Sequence, residues 1–210
     1  MVSPLAVLEL DVGGRKWSIG HAHDRDALLS ASNRHHCPPY GLLLWDSAIA
    51  LAEFIASSPE LVTNKRVLEL GAGVGLPGLV AQSVGAHVAQ TDHFGEALDV
   101  AALNAASNGI TGISRFWADW RNWQSTDVYD VVLGADILYD PEVHAELARV
   151  IKSALSPKGT LLLADPGRPQ ALEFLGRLED EGLRFQLQTR RIGHATFVGR
   201  GEIDVLLAWT

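Results

Sequence analysis

The chain has 210 residues, 47% of them hydrophobic, with 20 Gly, 9 Pro, 6 Trp and a single Cys. That length suits one domain burying roughly 70% of its unfolded surface, and one cysteine excludes an internal disulfide framework or a cysteine-based zinc site. A formal net charge of −8, with no basic run, argues against wrapping a nucleic-acid backbone. The start, Met1-Val2-Ser3-Pro4-Leu5, reads as no secretory signal, and the apolar runs fall far short of the ~18 residues of a membrane span. The expectation is a soluble, cytoplasmic protein without a membrane segment.

In chain order, Val7–Val12 and Lys16–Ile19 flank Gly13-Gly14 and read as a β-hairpin, because that turn needs positive φ at both central positions. Residues 21–40 lose all periodicity and carry four His, Cys37 and Pro38-Pro39; they read as an irregular entrance segment. The division expected is residues 1–39 as hairpin and entrance segment, and 40–210 as the main domain. From Trp45 to Ile55, Ala48, Ile49, Ala52 and Ile55 recur at helical spacing, and the helix ends near Ser58-Pro59.

Beyond that helix, apolar runs alternate with helical stretches. The strand candidates are 66–70, 87–91, 113–117, 128–133 and 160–164; the helix candidates are 76–84, 95–107 and 141–155. Continuous apolar runs mark strands buried on both faces, as in a parallel sheet covered by helices. A helix over 169–181 precedes strands 184–191 and 202–209, which lack a crossover helix and must pair antiparallel. The fold class is therefore α/β: a Rossmann-like, mostly parallel sheet closed at its edge by one antiparallel strand, with a short N-terminal hairpin.

Chemistry concentrates at Glu69-Leu70-Gly71-Ala72-Gly73-Val74-Gly75-Leu76-Pro77-Gly78, where a buried strand ends, glycines turn sharply and a helix begins. This builds a nucleotide crevice at a strand's carboxyl end. Leu76 occupies the third-glycine position of a dinucleotide fingerprint, and Glu69 repels a pyrophosphate, so a phosphate-bearing ligand is disfavoured. Asp92 ends the next strand about twenty residues on, where a carboxylate can accept both ribose hydroxyls. A nucleoside with a cationic end and no phosphate suits both acids, and S-adenosylmethionine is such a ligand. The rival reading is a tight turn with Asp92 as a helix cap.

That stretch resembles motif I of the class I, seven-β-strand S-adenosylmethionine-dependent methyltransferases. Tyr40-Gly41-Leu42-Leu43-Leu44-Trp45 before a helix, and Gly134-Ala135-Asp136-Ile137-Leu138-Tyr139 after a strand, resemble the family-16 group, which contains many protein lysine methyltransferases. The resemblance implies that Gly71, Ala72 and Gly73 pass beneath the methionine part and Glu69 faces its cationic end. It implies that Asp92 holds the ribose with His93 beside it, and that Asp119 and Trp120 flank the adenine. Trp45 would pack on the cofactor, Ala135 would offer backbone near the adenosine, and Asp136 and Tyr139 would stand at the mouth of the transfer channel. S-adenosylhomocysteine would be the product.

Residue chemistry supports Asp136 and Tyr139 independently. Both follow a buried strand at its carboxyl end, beside the crevice. Methyl transfer from a sulfonium is an in-line displacement that needs an aligned, neutral nucleophile and little water. A lysine amine, with a pKa of about 10.4 in water, loses its proton more readily when desolvated. Asp136 could direct that amine by a hydrogen bond and Tyr139 could offer a π face to the ammonium; the rival reading is Asp136 as a cap of the helix from Pro141 and Tyr139 as core filler. Asp140-Pro141 reads as a helix cap.

The remaining candidates read as structural. His21, His23, His35, His36 and Cys37 follow no metal-ligand spacing, so no metal is expected. Trp117 and Trp123 read as packing, and Asp165-Pro166-Gly167-Arg168-Pro169 as a turn more than as part of an acceptor pocket. The function expected is N-methylation of a lysine in a protein substrate. The alternatives are a small-molecule amine methyltransferase and a cofactor-binding protein without turnover. Base methylation is disfavoured, because Ile137-Leu138 replace the two prolines of that motif and a basic surface is missing.

Overall fold

The computed structural model describes residues 5–23, 39–191 and 202–209. Strands β1 (Leu5–Val12) and β2 (Arg15–Ala22) form the hairpin, with Gly13 and Gly14 at φ 63° and 76°, the left-handed pair its two-residue turn demands. His21 and Ala22 continue β2, where an irregular segment was expected, because both side chains are buried there. His35, His36 and Cys37 of the expected entrance segment lie outside the described residues.

The main sheet has seven strands in the order β5-β4-β3-β6-β7-β9-β8. They are β3 (Arg66–Leu70), β4 (His87–Asp92), β5 (Ser114–Trp117), β6 (Tyr129–Ala135), β7 (Leu155–Asp165), β8 (Arg184–Arg191) and β9 (Glu202–Trp209). All pairs from β5 to β7 are parallel, while β9 runs antiparallel to both neighbours. One antiparallel strand was expected, but at the edge. It lies one place in, between β7 and β8: β9 pairs antiparallel with both, and β8 takes the edge. The observed β7 starts five residues earlier than expected; Pro157 and Gly159 interrupt the apolar run that would have marked its first half.

Helices α1 (Asp46–Ser57), α2 (Leu76–Ser83) and α3 (Gly95–Ser107) cover one face of the sheet, and α4 (His144–Ala154) and α5 (Pro169–Asp180) the other. The period-two alternation of the strands sorts their side chains between these layers. Val67, Val131, Leu133 and Leu162 enter the first core, whereas Leu68, Leu70, Val132 and Leu163 enter the second. The expected helix from Pro141 begins instead as a short 3-10 turn, Pro141–Val143, before α4. Asp140 Oδ1 accepts from the Glu142 amide at 3.0 Å, which is the cap its Asp-Pro pair announced.

The hairpin belongs to the first core and is pinned to α3 by two asparagines. Asn104, buried, accepts from the Gly20 amide at 2.7 Å and donates to the carbonyls of Gly20 and Val74. Asn108 makes the same paired contact with the backbone of Ser18. Since Val74 lies in the glycine loop, Asn104 ties the hairpin to the floor of the cleft.

Candidate active site

The strand order reverses between β3 and β6: from β3 the chain builds outward through β4 and β5, then returns to the other side. Their carboxyl ends therefore part and leave a crevice. A cavity of about 510 Å³ opens there, within the ~300–1,000 Å³ typical of small-molecule sites. Every residue singled out from the sequence as catalytic or cofactor-binding lines it.

The glycine loop forms the floor. Gly71 and Gly73 have φ of 59° and 54°, a conformation that disfavours side chains. A Cβ on Gly71 would collide with the Ile137 side chain at 2.8 Å, so the loop and that wall close against bare backbone. A Cβ on Gly73 would meet the Gly41 carbonyl at 3.2 Å.

The acids at the floor are held by backbone amides. Asp92 accepts from the Gly73 amide through Oδ2 and from the Phe94 amide through Oδ1, both at 2.9 Å. The Asp92 carboxylate thus bridges the glycine loop to the turn before α3. It caps no residue of α3 itself, so the helix-cap alternative describes only the Phe94 contact. Burial pushes its pKa up, and these amides with His93 oppose the rise. Each oxygen keeps a second lone-pair site for a ligand hydroxyl. His93 stands 3.5 Å from Asp92 at the rim.

Glu69 shares a sheet face with Val67 and points toward α2. Its Oε2 accepts from the Gln90 amide at 2.7 Å and from the Gly78 amide in the first turn of α2 at 3.2 Å. Helix α2 has no side-chain cap on Gly75, so the carboxylate of β3 satisfies one of its free amides. Complete burial raises the Glu69 pKa to about 7, against the lowering effect of these two bonds. Gln90, which holds it, carried no sequence signal beyond being polar within an apolar strand.

Across the cavity, Ala135 and Asp136 end β6. Asp136 is 10% exposed and adopts φ 59°, unusual for a residue with a side chain. Ser47 Oγ of α1 donates to its Oδ2 at 2.9 Å, and the Arg168 guanidinium donates to its Oδ1. Burial raises the Asp136 pKa, and Arg168 and Ser47 oppose it. Tyr139 packs edge-on against Tyr40 at 5.5 Å, and Tyr40 in turn against Trp45 at 6.0 Å, so three aromatics line one side of the mouth. Trp45 Nε1 donates to the Tyr40 carbonyl. On the opposite lip, Asp119 accepts from the Arg121 amide and begins the turn that carries Trp120.

Sequence reasoning gave no role to Ser47, named Tyr40 only within the family motif, and read Arg168 as part of a turn. The Asp165–Pro169 stretch does turn the chain, but it also delivers Arg168 to Asp136; an Asp and an Arg three residues apart at the carboxyl end of a sheet strand are the signal for that. Trp117, expected as packing, is 60% exposed and donates to the His93 carbonyl at 2.7 Å, because β5 is an edge strand and ends in solvent. Trp123 does pack, against Phe116. Among the described residues, no cluster of three or more His, Cys, Asp or Glu could hold a metal ion, and no helix is long and apolar enough to cross a membrane.

The sequence profile of a family described as lysine methyltransferase matches residues 25–181. The chain belongs to that family. Calmodulin-lysine N-methyltransferase of Arabidopsis thaliana is 33% identical over 169 residues, covering 74% of this lysine methyltransferase family member and 56% of the plant protein. Histone-arginine methyltransferase METTL23 of Xenopus laevis is 30% identical over 120 residues, covering 54% of this chain and 51% of its own. The chain thus spans about half the length of these curated relatives. Among solved structures, the Thermus thermophilus 16S rRNA N2 G1207 methyltransferase RsmC, in complex with AdoMet and guanosine, superposes with a TM-score of 0.66 at 17% identity. That match covers 99% of this chain and 51% of the other. At that identity the likeness shows the fold alone, a seven-stranded methyltransferase sheet.

Proposed function

We propose that the cleft binds S-adenosylmethionine and that the protein methylates the side-chain amine of a lysine in a protein substrate. The observation that carries this reading is that one cavity joins the glycine loop and its two buried acids to the Asp136–Tyr139 wall. Membership of the lysine methyltransferase family supports the acceptor. The donor set suits a sulfonium nucleoside: Asp92 for the ribose, with His93 beside it; Glu69 for the cationic end; and bare backbone at Gly71, Ala72 and Gly73. Trp45, Trp120, Asp119 and Ala135 would enclose the adenosine. When bound, that cofactor supplies an electrophilic methyl group.

The chain's own residues have two tasks. Asp136 accepts a hydrogen bond from the acceptor amine and fixes the direction of its lone pair. Desolvation between Tyr139, Tyr40 and Trp45 favours the neutral, nucleophilic amine over the ammonium, and the same aromatic faces accommodate the cationic product.

The test is to incubate the protein with methyl-labelled S-adenosylmethionine and a whole-cell protein extract, and to locate label by mass spectrometry. Methyl-lysine in a discrete set of proteins is expected. Label confined to small amines, or to arginine, would overturn the acceptor. Cofactor binding without any transfer would reduce the protein to a binding module.

A further inference from the structure

Arg168 is fixed from two sides. Its Nη1 donates to Asp165 Oδ2 at 2.7 Å and its backbone amide to Asp165 Oδ1 at 2.8 Å, while Nη2 reaches Asp136 Oδ1. Asp165 is almost completely buried at the end of β7, and the Arg168 side chain is 25% exposed. Neither residue lines the cavity, and nor does Ser47; Asp136 does. Arg168, Asp165 and Ser47 therefore stand behind the carboxylate and leave its cavity side open.

We propose that Arg168, clamped by Asp165, is a positioning residue for methyl transfer: it fixes the Asp136 carboxylate so that its remaining lone pairs face the acceptor amine. This rests on the reading of Asp136 as the group that meets that amine. The planar guanidinium is suited to the task, because its separate nitrogens reach two carboxylates in a fixed fork that a lysine ammonium cannot reproduce. Ser47 secures the second oxygen, so the carboxylate cannot rotate freely. Asp136 holds these contacts from a left-handed backbone conformation, φ 59°, which is uncommon for a residue with a side chain.

The charge balance follows from the same geometry. Asp136, Asp165 and Arg168 sum to one negative charge at the acceptor wall, the sign an amine passing to an ammonium requires. Among the described residues, Asp165 at the end of β7 and Arg168 in the connection to α5 are the charged groups that act on Asp136, and Ser47 from α1 is neutral. Without Arg168, burial and the repulsion from Asp165 both push Asp136 toward its protonated form. A protonated Asp136 has one oxygen committed as a donor and orients an amine less well.

The test follows the Asp136 carboxyl carbon by NMR titration in cofactor-free wild type, Arg168→Gln and Arg168→Lys, with circular dichroism confirming that each is folded. Arg168→Gln should raise the midpoint by about one pH unit or more, and Arg168→Lys by less. With the protein extract as acceptor, transfer at pH 7 by Arg168→Gln should fall about ten-fold or more, its acid limb moving up with the midpoint. Calorimetric affinity for S-adenosylmethionine should stay within about two-fold. An unchanged midpoint in folded Arg168→Gln would overturn the inference and leave Arg168 as a turn residue. If the midpoint moves while Asp136→Asn transfers as well as wild type, the reading of Asp136 fails and the pairing stands.

Discussion

The two sides of the cleft are built differently. On the β3–β4 side, acids are held by amides from within one βαβ unit and the turn after it: Asp92 by the backbone of Gly73 and Phe94, Glu69 by the Gln90 side chain and the Gly78 backbone. On the β6–β7 side, Asp136 is held by side chains from two distant places, Ser47 and Arg168. Backbone amides are fixed by the fold and do not titrate, so the first side offers a rigid bed for a ligand of constant shape, and pH acts there through Glu69. An ion pair can be retuned by one substitution, which suits a wall proposed to meet the acceptor. The contrast predicts that binding and transfer are separable.

The largest effect should come from Gly73→Arg, which forces a side chain onto a positive-φ position 3.2 Å from the Gly41 carbonyl. Calorimetry should show cofactor affinity lost by about 100-fold or more, with a thermal melt to confirm folding; retained affinity would place the ligand elsewhere. Next, Asp136→Asn should slow transfer by about 100-fold with cofactor affinity within about three-fold. Loss of both together would mean that the two sides act as one unit.

Glu69, with a pKa of about 7 in the fold against an ordinary 4.5, keeps its proton in the folded state when the unfolded chain has lost it. The ligand-free protein therefore loses up to about 3 kcal/mol from this group as pH rises from 4.5 through 7. Affinity for a cationic ligand moves the other way, rising several-fold from pH 6 to pH 8 as the carboxylate ionises. In Glu69→Gln, titration calorimetry should find that rise flattened, and thermal melts should find the high-pH loss of stability reduced. The smallest effect is expected from Asn104→Ala, which unties the hairpin from the Val74 carbonyl. It should cost about 1–3 kcal/mol in chemical denaturation and weaken cofactor binding only slightly.

The same contrast decides what could be read from the sequence. The amide-held side lies within one βαβ unit, from Glu69 to Asp92, so its glycines and acids stand at fixed spacings that local geometry dictates. The hairpin was equally local, since Gly13-Gly14 alone specifies its turn. The side-chain-held side draws on positions 47, 136 and 168, which only the closed sheet brings together. A serine inside an amphipathic helix carries no mark of that meeting, and the three-residue spacing of Asp165 and Arg168 marks a local ion pair at a strand end without naming Asp136 as its third member. The position of β9 was hidden for a related reason: antiparallel pairing follows from a short link, but the slot it fills depends on which edge of β7 is open.

A structure of the protein with S-adenosylhomocysteine tests the central claim most directly. The account predicts the ribose hydroxyls on Asp92, the sulfur over Gly71–Gly73 and the open side of the sulfur directed toward Asp136 and Tyr139. A nucleoside seated away from Asp92, or a sulfur turned from Asp136, would contradict it.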